Sequence, residues 1–229
     1  MKPRICVSIM PKTMTEFETL WIDALKSEPD YIEVRLDHLN EPVKFKEPSW
    51  KNGIIKIATD RFKCEDAERS LCEERFRNLI KTSNEGFDYV DLEVSTDNIK
   101  AKVENLRECG VKIILSHHDW KRTPEVKELK NTLKNMSKIG ADAYKIVTTA
   151  RRLEDNLSTL NFLSQASRRF KIVCFAMGEL GKISRIMSPM FGGLFTVASL
   201  KHGGETAPGQ IPIDDLKIIY EKISLKLEE

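Results

Sequence analysis

Two rhythms of apolar and polar residues alternate along the chain. Short apolar runs come first in each repeat, and stretches with apolar residues every three or four positions follow. The short runs predict strands over residues 5–9, 31–35, 53–58, 87–93, 111–116, 141–147, 171–177 and 192–199. The longer stretches predict helices. Thr15 stands where it can cap one that carries Phe17, Leu20, Trp21, Ala24 and Leu25 on one face. A second runs from about residue 65, with Leu71, Phe76, Leu79 and Ile80 inward. Ile99, Val103 and Leu106 mark a third, closed by Gly110. Thr123 followed by Pro124 predicts the cap and first turn of a fourth, with Val126, Leu129, Leu133 and Met136 inward. Leu153, Leu157, Leu160 and Leu163 stripe a fifth. A short helix follows over 183–187, and Leu216, Ile219, Tyr220, Ile223 and Leu227 stripe the last. Residues 36–52 contain Pro42 and Pro48 and show no helical period, so an irregular connection is expected there.

Eight strands alternating with helices predict an α/β chain folded as a (β/α)8 barrel, a single domain over residues 1–229. An open doubly wound sheet is the alternative, but no GxGxxG turn follows the first strand.

Composition narrows the function classes. Charged residues make up 31% and hydrophobic residues 41%, a globular balance. No apolar run reaches the length of a membrane span, and the first residues run directly into a strand with no leader-like stretch, so no membrane association and a cytoplasmic location are expected. The net charge is only +2, with lysines and glutamates interspersed, which argues against a nucleic-acid surface. The five cysteines are odd in number and none has CxxC spacing, which argues against a zinc site or a disulfide framework.

The candidate chemistry centres on residues 141–147. Strand alternation puts Lys145 on one face with Ala141, Ala143 and Val147. Desolvation there lowers a lysine pKa and frees the lone pair that a Schiff-base nucleophile needs. A lysine that snorkels to the strand end or pairs with a carboxylate is the simpler reading of that residue alone. Barrel active sites lie at the carboxyl ends of the strands. The polar residues at those ends are Glu33, Arg35 and Asp37; Asp91 and Glu93; His117, His118 and Asp119; Lys145; Lys182, Ser184 and Arg185; and Thr206 and Gln210. Glu33 and Arg35 could simply pair with each other, and Asp91 reads as an acceptor for backbone amides. Gly203-Gly204 reads as a loop turn and Met177 as packing near the site.

Taken together, Glu33-Val34-Arg35-Leu36-Asp37, Asp91-Leu92-Glu93, Ser116-His117-His118-Asp119-Trp120 with Thr123-Pro124, the lysine strand, Met177-Gly178 with Ser184-Arg185, and Ala207-Pro208-Gly209-Gln210-Ile211 resemble the type I 3-dehydroquinate dehydratases of the shikimate pathway. The resemblance runs from Cys6 to the C-terminus, almost the whole chain. It implies a (β/α)8 barrel, a homodimer, and dehydration of 3-dehydroquinate to 3-dehydroshikimate with no metal and no organic cofactor. Lys145 matches the imine-forming lysine, His118 the general acid and base, and Glu93 the carboxylate that orients it. Glu33, Arg35, Arg185 and Gln210 match substrate contacts. Thr206 stands where many members have serine, and Ser8 joins the set. Many members carry an arginine at the end of the third strand; here Ala58 falls near that place, and Arg61 is the candidate to reach in from the loop. A class I aldolase with the same lysine chemistry and a catalytically silent barrel are the rival readings.

Overall fold

Eight parallel strands form one sheet, and helices follow most of them. The structure is a computed structural model that describes residues 2–39, 42–43, 53–61 and 69–223. The strands are β1 (Ile5–Ile9), β2 (Tyr31–Arg35), β3 (Ile55–Thr59), β4 (Tyr89–Glu93), β5 (Lys112–His118), β6 (Ala143–Thr149), β7 (Ile172–Met177) and β8 (Thr196–Ser199). The helices are α1 (Met14–Lys26), α2 (Arg69–Ser83), α3 (Ile99–Glu108), α4 (Val126–Ser137), α5 (Asp155–Ala166), α6 (Lys182–Met187) and α7 (Ile213–Ile223). Neighbouring strands run in the order β7-β6-β5-β4-β3-β2-β1-β8. At the remaining seam the Leu194 N–H donates to the Ile172 carbonyl at 2.7 Å. The architecture is the (β/α)8 barrel expected from the alternation.

Strand parity divides the core. Cys6, Tyr31, Ile57, Tyr89, Ile114, Ala143, Val147, Val173, Phe175 and Val197 fill the barrel. The residues between them, such as Val7, Ile32, Val34, Ala58, Val90, Leu92 and Ile113, face the helices with Phe17, Trp21, Val103 and Leu106. Around β5 to β7 the outer layer is Leu115, Tyr144, Ile146, Ile172 and Cys174 against Leu129, Leu133 and Leu163.

Polar anchoring at the amino ends of the strands repeats. Asp30, Asp88 and Asp142 each stand just before an even-numbered strand. Each carboxylate accepts a backbone N–H from the odd-numbered strand before it: Ile5 N at 2.9 Å, Lys56 N at 2.8 Å and Ile113 N at 2.8 Å. Burying those strand-start amides unpaired would be costly.

Several boundaries differ from the sequence expectation for one shared reason. β3 to β8 each begin later than the runs that predicted them. Ile54, Phe87, Val111 and Ala141 are apolar because they pack into the helix layer below the sheet edge. Phe195 does the same inside the barrel, its ring 4.6 Å from that of Tyr31. β5 and β6 also run two residues further than expected, to His118 and Thr149.

Two helix caps are corrected. Thr13, rather than Thr15, caps α1: its hydroxyl accepts the Glu16 N–H at 3.1 Å, and the Glu16 carboxylate accepts the Lys12 N–H at 2.7 Å. Thr123 does not cap α4, whose cap residue is Glu125. Its hydroxyl instead donates to the Thr149 carbonyl at 3.0 Å and so ties the loop after β5 to β6.

The leucine stripe of α5 is rotated. Leu153 and Leu157 are exposed, and the buried face is Asn156, Thr159, Leu160 and Leu163. Asn156 faces inward because its amide donates to the Leu180 carbonyl at 2.7 Å and its oxygen accepts the Ser184 N–H at 2.9 Å. On α7, Leu216 and Tyr220 are buried while Ile223 is exposed. The start of the second expected helix, most of the 36–52 connection, and Leu227 lie outside the described residues. Cys72 is disulfide-bonded, which corrects the reading of the cysteines, and Cys6, Cys109 and Cys174 are free. A bond set by approach in space leaves no motif in the spacing.

Candidate active site

Barrel parity delivers the chemistry. The inward positions of β2 through β6 turn polar towards their carboxyl ends: Glu33 and Arg35, Thr59 and Arg61, Asp91 and Glu93, Ser116 and His118, and Lys145. They converge on one cavity lined by Glu33, Arg35, Arg61, His118, Trp120, Lys145, Val147, Phe175, Met177, Arg185, Val197, Thr206, Ala207 and Gln210.

Lys145 is buried, and its ammonium is clamped. Nζ lies 2.9 Å from Asp91 Oδ2 and 3.1 Å from Glu33 Oε1. Glu33 Oε1 also accepts the Thr59 hydroxyl at 2.9 Å. Burial pulls the lysine pKa down, but Asp91 and Glu33 outweigh it, and the net displacement is upward. The expected downward shift is therefore corrected: the lysine is an ion-paired ammonium. Asp91 is corrected with it. It accepts no backbone amide in the described structure, and its Oδ1 has no hydrogen-bond partner there.

His118 and Glu93 form a second pair. The imidazole Nδ1 is 2.6 Å from Glu93 Oε2, and the His118 backbone N–H donates to Glu93 Oε1 at 3.1 Å. Glu93 thus fixes both ring and backbone. Burial, reinforced by the Arg61 cation, holds the imidazole below its ordinary pKa against the opposing pull of Glu93. A carboxylate at Nδ1 favours the tautomer with its proton there, which leaves the lone pair on Nε2 when the ring is neutral. The Trp120 ring stacks on it, centroids 5.7 Å apart. His117 has the opposite parity and is absent from the cavity wall.

Arg61 spans the two pairs. Nη2 is 2.6 Å from Asp91 Oδ2, and Nη1 is 3.3 Å from Glu93 Oε2 and donates to Ser116 Oγ at 2.8 Å. It continues the inward phase of Ile57 and Thr59, whereas Ala58 faces the helix layer. Arg61, the residue expected to reach in from the loop, is the arginine in the cavity at this strand end, and Ala58 is absent from the cavity wall. Arg35 pairs with Asp37 through Nε at 3.0 Å and through a second contact from Nη2. Asp37 also accepts the Arg61 backbone N–H at 3.0 Å, so one carboxylate seats both arginines.

The other wall comes from the last two loops. Arg185 is fully buried over the Phe175 ring, 4.2 Å from its centroid. Its Nη atoms donate to the Val197 and Pro208 carbonyls at 3.2 Å, and Nε has no hydrogen-bond partner in the described structure. Burial pushes this guanidinium down to about 9. A buried cation with only carbonyl partners is suited to an incoming anion. The Thr206 hydroxyl donates to Ser8 Oγ at 2.9 Å, and Gln210 Nε2 donates to Thr206 Oγ1 at 3.0 Å. Ser8 and Glu93 stand just behind the cavity wall and act on it through Thr206 and His118. Gly209 carries this loop against Gly178: φ is +76°, and a Cβ there would come within 2.4 Å of the Gly178 carbonyl oxygen.

Of the other polar residues at the strand ends, Lys182 pairs with Glu179 at 2.6 Å outside this cavity, and Ser184 accepts the Ala176 N–H at 2.9 Å. Thr59, Ser116 and Trp120 complete the site without having been given a role from the sequence, and Asp91 joins it in a role other than the one expected. For Thr59 and Ser116, inward parity beside Glu33 and Glu93 was the available signal. Among the described residues no group of His, Cys, Asp and Glu is disposed to hold a metal ion, and no helix is long and apolar enough to cross a membrane.

Comparison with known proteins is consistent across sequence and fold. The family model for type I 3-dehydroquinase matches residues 5–226. A 3-dehydroquinate dehydratase of Dehalococcoides mccartyi is 36% identical over 200 residues, covering 85% of this chain and 86% of that protein. One of Coxiella burnetii is 31% identical over 227 residues, covering 96% and 93%. The crystal structure of 3-dehydroquinate dehydratase from Geobacillus kaustophilus superposes with a TM-score of 0.81 at 25% identity, covering 97% of this chain and 93% of that one. A type I enzyme from Clostridium difficile, solved with covalently modified comenic acid, gives 0.80 at 25% identity, covering 97% and 92%.

Proposed function

Because the chain belongs to the type I 3-dehydroquinase family, we propose that it dehydrates 3-dehydroquinate to 3-dehydroshikimate through an imine on Lys145. The observation that carries this reading is the convergence in one cavity of a buried lysine, an imidazole held by Glu93, and a buried guanidinium with no carboxylate partner in the described structure.

The chemistry follows from what each group can do. A proton next to a ketone is too weakly acidic for an imidazole base. An iminium formed between Lys145 and the C3 ketone is a stronger electron sink and makes that proton removable. His118 Nε2 takes the C2 proton, leaving an enamine and an imidazolium that Glu93 stabilises. The imidazolium then returns the proton to the departing C1 hydroxyl, which leaves as water, and the iminium is restored. Hydrolysis releases product and regenerates the lysine. Arg185 binds the substrate carboxylate, with Arg35 and Arg61 adding positive field. Glu33, Gln210, Thr206 and Ser8 contact hydroxyls directly or through one another. No metal or organic cofactor enters these steps.

The same reading places the protein in the shikimate pathway, in the cytoplasm, as a homodimer of single-domain barrels. The exposed Leu153, in the turn before α5, and Leu157 on α5 offer apolar surface of the kind a second copy buries. An ultraviolet assay of the purified protein with 3-dehydroquinate tests the activity. The conjugated product should accumulate with wild type and not with Lys145→Ala. Folded wild-type protein that forms no product would overturn the reading.

A further inference from the structure

The carboxylate nearest the reacting nitrogen has no part in the steps above. Asp91 is buried at the end of β4, and its Oδ2 contacts both Lys145 Nζ at 2.9 Å and Arg61 Nη2 at 2.6 Å. Arg61 reaches on to Glu93, which holds His118. Lys145 is thus faced by Asp91 and Glu33 and the imidazolium formed in turnover by Glu93, with the Arg61 guanidinium between Asp91 and Glu93.

The balance of imine formation gives this arrangement a purpose. An ammonium and a ketone yield an iminium and water. The C–N bond forms, the C–O bond breaks, and two of the three ammonium protons leave with the oxygen. The nitrogen carries one positive charge before and after. When His118 removes the C2 proton, that charge moves from nitrogen to imidazole, and it moves back as the hydroxyl leaves. A charge that alternates between two buried sites needs a fixed counter-charge at each.

Resting on the proposed imine chemistry, we propose that Asp91 is the dedicated counter-ion of the reacting nitrogen. Its Oδ2 balances Lys145 as ammonium in the free enzyme and as iminium with substrate bound. Arg61 links it to Glu93, the counter-ion of the imidazole. Glu33 contacts the same ammonium, but at longer range and while also accepting the Thr59 hydroxyl. The charged or titratable groups around Lys145 are Cys6 from β1, Glu33 and Arg35 from β2, Arg61 beyond β3, Asp91 and Glu93 from β4, His118 from β5 and Arg185 from α6. Of these, Glu33 and Asp91 touch the nitrogen.

The test measures the rate of borohydride-trapped adduct formation at Lys145 from about pH 7 to a unit or so above the ordinary lysine value of about 10.4, beside kcat, for wild type, Asp91→Asn and Asp91→Glu. Removing the counter-charge makes the lysine easier to deprotonate. The acid limb of trapping in Asp91→Asn should therefore move down by about one unit or more, as loss of a close opposite charge does. At the same time kcat should fall about tenfold or more, the rate equivalent of one such unit. Asp91→Glu should keep its limb near that of wild type. A purely structural role would lower kcat or folded yield and leave the limb in place, and that result overturns the proposal. Should Asp91→Asn not fold, competitive acylation of ligand-free wild type decides. Lys145 must titrate above the ordinary lysine value of about 10.4, and a value at or below it overturns the proposal. Wild type that yields neither adduct nor product would instead refute the proposed function, whereas an unchanged limb in an active, trapping enzyme refutes only the role of Asp91.

Discussion

Carboxylates occur at both ends of the barrel, half-buried or exposed at the amino end and buried or half-buried at the carboxyl end, and they do different work. At the amino end, Asp30, Asp88 and Asp142 accept backbone N–H groups of neighbouring strands. At the carboxyl end, Glu33 and Asp91 hold a lysine, and Glu93 holds a histidine while Arg61 contacts it. The residue type is the same and the partners differ. Carboxylates that bind main chain satisfy an edge of the sheet. Carboxylates that bind side-chain cations store charge where a reaction can use it. The cost also differs: main-chain amides must be paired anyway, whereas a buried lysine and arginines are tolerated only because each finds a carboxylate or awaits an anion.

Substitutions at the two ends should separate along the same line. The largest effect is expected from Lys145→Ala, which should abolish dehydration and any trapped adduct while circular dichroism still reports a folded barrel. Residual turnover well above the uncatalysed rate would remove the lysine from the chemistry. Next, Arg185→Lys replaces a planar fork by a point charge, so KM for 3-dehydroquinate should rise more than kcat falls. A change confined to kcat would mean that Arg185 does not bind the ground-state carboxylate. At the opposite end, Asp142→Ala strips the Ile113 N–H of its acceptor. It should cost about 1–3 kcal/mol of stability, seen as a melting point lower by about 2–4 °C per kcal/mol. The kcat well below that temperature should be unchanged. A lost kcat with an unchanged melting point would erase the distinction between the ends. The smallest effect is expected from Thr206→Ser, which keeps the hydroxyl that reaches Ser8 and Gln210; its KM should stay near wild type, whereas Thr206→Val should raise it.

The distinction between the ends was partly legible in the sequence. Strand parity put Glu33 with Arg35, Asp91 with Glu93, and Lys145 with Val147, and the barrel holds them so. At the end of β3 the arginine was expected near Ala58, with Arg61 the candidate to reach in from the loop; Arg61 lines the cavity in phase with Ile57, a parity the sequence reading did not use. Apolar runs overshoot the sheet because Ile54, Phe87 and Val111 are buried by helices below it. The leucines of α5 misled for a related reason: a helix can bury Asn156 where neighbouring main chain satisfies it and leave Leu157 outside. The most consequential miss was the state of Lys145. Small apolar neighbours in sequence suggested a depressed pKa, while the partners that decide it, Asp91 and Glu33, come from other strands. Asp91 was assigned the amino-end role, that of a backbone acceptor, because nothing local distinguishes Asp91 from Asp88. Only the sheet's closure around Lys145 does.

One measurement bears most directly on the central claim, that the carboxyl-end cluster exists to form and discharge an imine on Lys145. It is borohydride reduction of the protein in the presence of 3-dehydroquinate, read by peptide mass spectrometry. The account predicts a single reduced adduct on the peptide that carries Lys145, dependent on substrate and absent in Lys145→Ala. Product formation with no adduct on that lysine would contradict it.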